Sequence, residues 1–196
     1  MEFGIMLEEF EENIILKERF IKLENGKITS IIGLSELVTS TIINNKVMFK
    51  DGMENKFSSI SNIDKSFEDY TGEEYLECVC EIKAIAQNKR KQYLEIAEIL
   101  SIENDFKKRI GDYSFEIKKK IRFIQDYIGD SDTYIFHEPT MALDSEFVRI
   151  VGRLLHDLKN RNKTILLISN DINELQKNGD YLYIFNKKMQ NEDDNF

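Results

Sequence analysis

The chain has 196 residues, of which 41% are hydrophobic and 32% charged, and it contains one proline and nine glycines. This length and composition suit one globular domain with a substantial core, and they exclude collagen-like and low-complexity architectures. The net charge of -9 is spread along the chain and would repel the phosphate backbone of a nucleic acid.

The N-terminal part of the sequence predicts strands joined by tight turns. A strand is predicted at 14–23, followed by a turn at Gly26 and a short apolar strand at 27–32 that ends at Gly33. Residues 39–44 are compatible with the start of a helix. Residues 45–60 alternate apolar and polar side chains, which favours short strands with a turn at Asp51-Gly52.

From Gly72 the apolar residues recur with helical period. The positions on one side are Tyr75, Leu76, Val79, Ile82 and Ile85, and then Tyr93, Ile96, Ile99 and Leu100. This pattern predicts a helical insert of two or three helices. A further helix is predicted at about 115–128.

The C-terminal part alternates strands and helices. Strands are predicted at 133–136 and 164–169, with a helix over 144–160 between them and a second short helix and strand after them. Such alternation implies right-handed crossovers and a largely parallel sheet.

Three smaller features bear on location and partners. Cys78 and Cys80 are two residues apart in a predicted helix, so their thiols point in different directions, and we interpret them as reduced, structural and cytosolic. No signal sequence or run of ~18 apolar residues is present, so membrane association is expected to require a partner. The basic residues 118–120 and Arg122 are interpreted as a solvated helix face, and His156 as an exposed residue on a charged helix.

The most informative stretch is 133–144, with the sequence TYIFHEPTMALD, in which an apolar strand delivers an acidic residue. It resembles the Walker B and D-loop region of the nucleotide-binding domains of ABC transporters. The resemblance implies that His137 replaces the aspartate that helps to hold Mg²⁺, and that Glu138 keeps the place of the glutamate that polarises the attacking water. Glu138 has a second interpretation, as a cap on the turn after the strand. Asp144 suits a helix N-cap as well as the D-loop.

Two other motifs of this family occur upstream. Residues 113–120, YSFEIKKK, resemble the signature sequence: Ser114 matches, and Phe115 and Glu116 replace its two glycines. Residues 33–41, GLSELVTST, have the place and length of the phosphate-binding loop. In that loop Gly33, Ser40 and Thr41 match the family pattern, and the two hydroxyl residues also suit a helix N-terminus.

The remaining positions of the loop depart from the family. Glu36 and Val38 take the places of two glycines, and Thr39 takes the place of the lysine that reaches the terminal phosphates. A β-branched residue resists the backbone conformation that lets successive N–H groups face a phosphate. A carboxylate beside a polyphosphate is repelled, and a threonine cannot replace the charge of lysine.

Three weaker matches complete the resemblance. Residues 57–72 resemble the Q-loop segment of exporter-type (ABC-2-like) members, with Asn62 in place of the usual glutamine. Residues 168–171, ISND, resemble the switch region, with Asn170 in place of its histidine. Phe10 has the place of the aromatic residue that stacks on adenine.

The resemblance implies an α/β fold: a P-loop NTPase-like, largely parallel sheet with flanking helices, a small antiparallel β region and a helical insert, which together form the two-lobed ABC ATPase fold. The chain is predicted to be a single domain, 1–196. Residues 1–71 and 129–189 form the RecA-like/β lobe, 72–128 the helical insert, and 190–196 a polar tail.

The motif order with altered site residues predicts a degenerate ATP-binding subunit of an ABC transporter, a pseudoenzyme that does not hydrolyse ATP. ATP and Mg²⁺ are doubtful ligands, and no dedicated metal site is predicted. The expected partners are a permease subunit and a second nucleotide-binding subunit, identical or different, at the inner face of the cell membrane. The permease is expected to contact the groove near 62–75, including Glu68 and Asp69. The alternatives are a weak but genuine ATPase that drives export, and a scaffold or sensor without a transporter.

Overall fold

The computed structural model describes the backbone of residues 2–11, 14–33, 57–58 and 63–184, and the side chains of residues 23–33, 63–88 and 90–184. Within these residues, a five-stranded sheet has the strand order β4-β5-β6-β3-β7, and each neighbouring pair is parallel. Its strands are β3 (Ile28–Ile32), β4 (Phe57–Ser58), β5 (Thr133–His137), β6 (Thr164–Ile168) and β7 (Tyr181–Ile184). The predicted parallel sheet is confirmed.

A two-stranded antiparallel sheet precedes it. β1 (Glu2–Glu11) pairs with β2 (Ile14–Glu24), with an irregularity between Glu9 and Phe10. The second strand was predicted, but the first was not. Its sequence, EFGIMLEEFE, breaks the apolar–polar alternation and contains glutamates, which are depleted in strands.

Four of the five α-helices that the structure describes begin at a side-chain cap. The five are α1 (Gly72–Ile82), α2 (Gln92–Ile99), α3 (Phe115–Tyr127), α4 (Ser145–Asn160) and α5 (Ile172–Asn178). At α1, the Thr71 hydroxyl accepts from Glu74 N at 3.2 Å, and the Glu74 carboxylate accepts from Thr71 N at 2.8 Å. This reciprocal pair is a capping box. None of these helices is both long and apolar enough to cross a membrane.

The predicted apolar stripe of the helical region is only partly correct. Ile82 is 71% exposed and Ile99 is 44% exposed, whereas Ile85 is buried. Ile82 and Ile99 are the last residues of α1 and α2. The chain reverses at Ala84, which has a φ of 51°, and Ile85 N then donates to Cys80 O at 2.8 Å. This reversal, which helical periodicity does not predict, returns Ile85 to the core.

An aromatic cluster holds α3 against the sheet and against α4. The Phe123 ring stacks on the ring of Phe136 in β5, with 5.4 Å between centroids, and meets the ring of Phe147 in α4 edge-on at 6.1 Å. All three side chains are at most 3% exposed. Aromatic packing of this kind adds to the free energy of burial. It fixes the face that α3 presents to the carboxyl end of β5.

The basic residues of α3 do not form the predicted solvated face. Lys118, Lys119, Lys120 and Arg122 are all partly buried. Lys120 Nζ lies 2.7 Å from Glu116 Oε1 and 5.8 Å from the centre of the Phe147 ring. The prediction was wrong because the aromatic cluster draws this part of the helix onto the sheet. His156 is exposed, as predicted.

Candidate functional site

The candidate site lies where β5, β6 and β3 end at one edge of the sheet. In open α/β sheets, ligands bind outside the carboxyl ends of the strands. The register pairs His137 of β5 with Ile168 of β6, and Ser169 N donates to Ile31 O of β3 at 3.2 Å. The residues that follow the three strands therefore lie side by side.

Glu138 is the centre of the hydrogen bonds at this edge. Its Oε1 accepts from the backbone N and from the Nδ2 of Asn170, both at 2.8 Å, and its Oε2 accepts from Ser169 Oγ at 3.1 Å. The residue is 8% exposed. The structure therefore brings together Glu138 and Asn170, which the sequence analysis placed in separate motifs.

The backbone of Glu138 is held in an uncommon conformation. Its φ is 47°, in the left-handed region that non-glycine residues rarely adopt. Its N–H donates to Ile168 O at 2.8 Å, which continues the bonding to β6 past the end of β5. Strained residues of this kind persist where the surrounding structure fixes them, and they concentrate at functional sites. The side chain links two strand ends, so it does more than cap the turn after β5.

His137 precedes Glu138 and is half-buried. Burial lowers the pKa of His137, and the positive charges of Arg122 and Lys119 lower it further, although Glu138 opposes this. The imidazole is therefore neutral at pH 7. A neutral imidazole offers one nitrogen acceptor and no oxygen, whereas Mg²⁺ prefers oxygen ligands. His137 does not fit the role of a magnesium ligand.

Glu174, in α5, is a buried acid that the sequence analysis missed. It is 3% exposed, and neither of its carboxylate oxygens makes a hydrogen bond of normal geometry within the described residues. Burial raises the pKa of Glu174. Glu138 and Asp171 also raise it, while the nearby hydroxyls of Thr140 and Ser169 lower it. A glutamate in a short polar helix gives no sign in the sequence that it is buried.

A cavity of about 460 Å³ opens beside Glu138. Its lining residues are Ile63, Phe115, Lys118, Lys119, Arg122, His137, Glu138 and Met141. Burial lowers the pKa of Lys119, and the neighbouring Arg122 lowers it further, while Glu138 raises it. We refer to this space as the α3 cavity. The α3 cavity lies between the start of α3 and the segment after β5.

The relatives found by sequence comparison agree in being named ATP-binding proteins of transport or export systems. No family model matches the chain. The bacitracin transport ATP-binding protein BcrA of Bacillus licheniformis is 26% identical over 83% of this chain and 55% of its own length. A putative ABC transporter ATP-binding protein of Clostridium tetani is 24% identical over 80% of this chain and 40% of its own. The Nod factor export ATP-binding protein I of Burkholderia orbicola is 26% identical over 50% and 33%.

Solved structures agree on the fold. An ATP-binding subunit of an ABC transporter superposes with a TM-score of 0.81 at 16% identity, covering 94% of this chain and 86% of that one. A bacterial ABC transporter cassette solved as a dimer gives a TM-score of 0.71 at 18% identity, covering 94% of each chain. In sequence and in fold, the chain is similar to ATP-binding cassettes of ABC transporters. This similarity confirms the resemblance on which the sequence analysis relied, and the fold class that it predicted. This chain spans about half the length of the two relatives from Bacillus licheniformis and Clostridium tetani.

Ser114 and Asp144, which the sequence analysis assigned to the signature and the D-loop, act as helix caps. The Ser114 hydroxyl accepts from Ile117 N at 3.2 Å at the start of α3, and Asp144 Oδ1 accepts from Phe147 N at 2.8 Å at the start of α4. Phe115 and Glu116, which replace the signature glycines, form the first turn of α3 and are exposed. Ser114 and Asp144 therefore have defined roles as helix caps, whatever their place in the family motifs.

Several predicted site residues of the cassette lie outside the described part of the chain. Gly33 directly follows β3 and has a φ of 86°, which glycine adopts readily, but the residues after it are not described. The positions outside the described residues are Glu36, Val38, Thr39, Ser40, Thr41 and Asn62. The predicted helix at 39–44 and the turn at Asp51-Gly52 lie outside them as well. Phe10 lies in β1, and its side chain is not described.

Proposed function

We propose that this chain is a degenerate nucleotide-binding subunit of an ABC transporter that does not hydrolyse ATP and serves as the structural or regulatory member of its complex. The observation that carries the proposal is the bonding of Glu138. An ionised carboxylate offers about four acceptor positions, and Ser169 and Asn170 use three of them. Only one position therefore remains for a water molecule, and a general base must orient the attacking water as well as accept its proton.

The neighbouring His137 supports the same conclusion. Phosphoryl transfer depends on positioning and on the neutralisation of developing charge, for which the family uses Mg²⁺. A neutral, half-buried imidazole in the place of an aspartate removes both an oxygen ligand and a negative charge. The described residues at this edge therefore do not fit a magnesium ion.

ATP hydrolysis by the purified chain tests this proposal. We expect turnover at the background level in the wild type and no further decrease in Glu138→Gln. The alternative, a weak but genuine ATPase that drives export, requires turnover above background that Glu138→Gln abolishes. Glu146→Gln, at an exposed position of α4, is the matched control. Turnover that is lost in Glu138→Gln and kept in Glu146→Gln would refute the pseudoenzyme.

ATP binding is a separate question from hydrolysis. Calorimetry with ATP and with Mg-ATP measures it directly, and a rise in thermal stability is the check, because a ligand of the native state stabilises that state. Saturable binding below about 1 mM would make the chain a nucleotide-sensing subunit. If no ATP binding is found, the chain would serve only as a structural partner in its complex.

The proposed partner is a membrane-embedded permease, which would hold the chain at the inner face of the cell membrane. An open groove of about 590 Å³ runs along the start of α1 and suits such a contact. Glu73, Glu74 and Glu77 line it together with Tyr70, whose ring is 41% exposed. This acidic surface with one aromatic residue would complement a basic segment of the permease.

Charge reversal tests the docking surface. The double variant Glu68→Lys with Asp69→Lys changes the net charge by +4 just before the groove. Both residues are exposed. We expect this variant to lose co-purification with a permease that co-purifies with the wild type. Glu95→Lys with Glu98→Lys makes the same change on α2 and should keep it. Co-purification that survives the first pair would exclude this surface.

The second nucleotide-binding subunit is proposed to be either a second copy or an ATP-competent relative. The two are distinguished by co-expressing the chain with a candidate ATP-competent relative and measuring the mass of the complex that forms. A chain that binds neither a permease nor a second subunit would instead be a scaffold or sensor that has the fold without a transporter.

A further inference from the structure

A groove of about 340 Å³ lies between α4 and the end of α5 and carries positive side chains on an acidic protein. We refer to it as the α4–α5 groove. Arg149 and Arg153, one turn apart on α4, line it together with Lys177 of α5, and all three are exposed. Arg149 lies 3.7 Å from Glu146. The chain as a whole has a net charge of -9, and a local concentration of positive charge attracts acidic groups.

Two cations of the α4–α5 groove have no acidic partner. Neither Arg153 nor Lys177 forms an ion pair within the part of the chain that the structure describes. The one acid of the described lining, Asp157, lies 3.1 Å from Arg161 and accepts a hydrogen bond from the Tyr127 hydroxyl at 3.0 Å. An acidic occupant of the groove would therefore find two cations to pair with.

The floor of the groove is polar and has no bulky side chain. Gly152 of α4 faces Asn178 at the end of α5, whose Oδ1 lies 2.9 Å from the position that a Cβ of residue 152 would occupy. Asn178 is 5% exposed, and its Nδ2 donates to Glu174 O at 3.0 Å, which holds the amide in place. The groove therefore has room for the side chains of an acidic segment.

An acidic run of the same chain lies within reach of this groove. Residues 192–194, Glu-Asp-Asp, belong to the predicted polar tail 190–196, which lies outside the described residues. β7 ends at Ile184, seven positions after Lys177, so these two residues are at most about 25 Å apart. The eight residues from Ile184 to position 192 can extend to about 29 Å. The chain is therefore long enough to bring the acidic run to Lys177.

The weakness of exposed ion pairs favours a tethered occupant over a separate molecule. Pairs between exposed side chains contribute little, and salt screens them. Two such pairs cannot hold a free peptide at micromolar concentration. A segment joined to the groove by a short linker has an effective concentration on the order of 1 mM, at which weak pairs suffice.

We propose that the acidic run at 192–194 binds the α4–α5 groove of its own chain, with its carboxylates on Arg153 and Lys177. The segment before α5 contains Asn170, whose amide is bound to Glu138. Occupation of the groove would hold α5 against α4 and would thereby reinforce the segment that carries Asn170. The proposal involves no nucleotide and is independent of the function proposed above.

Carbodiimide cross-linking of the full chain tests the contact, because the reagent joins a carboxylate to an amine only where the two touch. We expect peptide mass analysis to find 192–194 joined to Lys177 and not to Lys91, which is exposed at the start of α2. A mixture of unlabelled and isotope-labelled chains should give links within one chain. Links between differently labelled chains would show a second copy in the groove and would overturn the proposal, as would the absence of a Lys177 link.

Two arginine variants separate a specific contact from a general effect of charge. Arg153→Met should lower the yield of the Lys177 link about two- to fivefold, because it removes one of the two cations that hold the run. Arg109→Met removes the same charge at an exposed position outside the groove and should leave the yield unchanged. Equal yields in the two variants would overturn the proposal.

Hydrogen exchange of the α5 amides gives a second readout, because amide protection reports local opening. Neutralising the run with Glu192→Gln, Asp193→Asn and Asp194→Asn should speed this exchange about two- to fivefold, and high salt should do the same in the wild type. The matched control makes the same charge change at exposed positions, with Glu95→Gln, Glu98→Gln and Glu103→Gln, and should exchange as the wild type does. Unchanged exchange in the tail variant would overturn the proposal.

Discussion

Asn170 donates two hydrogen bonds to a single oxygen of Glu138, one from its backbone N and one from its Nδ2, each at 2.8 Å. The resemblance gives these residues to two different motifs, the switch region and Walker B. Their direct contact means that the segment after β6 is fastened to the segment after β5. A change at either residue should therefore affect both stability and the chemistry of this edge of the sheet.

Asn170→Ala should lower the free energy of unfolding by about 1.5 kcal/mol, because it removes a side-chain hydrogen bond to a buried carboxylate. The backbone bond remains, which limits the loss. Urea unfolding measures the difference. Asn173→Ala, two residues into α5, removes an exposed amide and should change stability by less than about 0.5 kcal/mol. Equal effects of the two changes would contradict the importance of the Glu138 contact.

Glu174→Gln should stabilise the protein more at pH 7.5 than at pH 4.5. Burial raises the pKa of Glu174 above its ordinary 4.5, so the folded state holds this proton after the unfolded state has released it. The wild type therefore loses stability as pH rises through the folded pKa. Glutamine carries no such charge and should remove that loss. Unfolding at the two pH values measures it, with the exposed Glu98→Gln as the control that should show no pH-dependent gain.

The sequence predicted the sheet well because its central strands are buried on both faces. All five residues of β6, TILLI, are buried, and such continuous apolar runs indicate parallel strands directly. The caps at Ser114 and Asp144 were also predictable, because a short-range hydrogen bond depends only on residues three positions apart.

The hydrogen bonds and burial of the site residues could not be predicted, because they depend on contacts between residues that are far apart in the sequence. Glu138 and Asn170 are 32 positions apart, and no periodicity reveals that they meet. The basic run of α3 was read as solvated because its burial follows from Phe123 packing on Phe136, a contact between a helix and a strand. The resemblance proposed both residues as site positions, but it did not reveal the hydrogen bonds between them.

Lys83 should make stability depend on pH in the alkaline range. Its Nζ donates to Gln125 O and to Ile128 O at the end of α3, and burial lowers its pKa from 10.5 to about 8, although Asp126 opposes this. The folded state thus releases the proton first, so this contribution is complete above pH 10.5 and is lost as pH falls through about 8.

The comparison of wild type with Lys83→Met isolates that contribution. Between about pH 8 and pH 9.5, the unfolding free energy of the wild type should rise relative to the variant, by at most about 1.4 kcal/mol per pH unit. Tyrosines and cysteines titrate in both proteins, and their effects cancel in the difference. Lys91→Met, at an exposed position, should show no such slope. A constant difference between wild type and Lys83→Met would mean that the ammonium group is not desolvated.

Two phenylalanines of α3 should differ greatly in how much truncation destabilises the protein, because one holds the helix on the sheet and the other faces the α3 cavity. Phe123 is 2% exposed and contacts the rings of Phe136 and Phe147, so Phe123→Ala should cost about 3–5 kcal/mol. Phe115→Ala should cost less than about 0.5 kcal/mol. Denaturant unfolding of the two variants measures the contrast. A large loss in Phe115→Ala would contradict the exposed position of that ring.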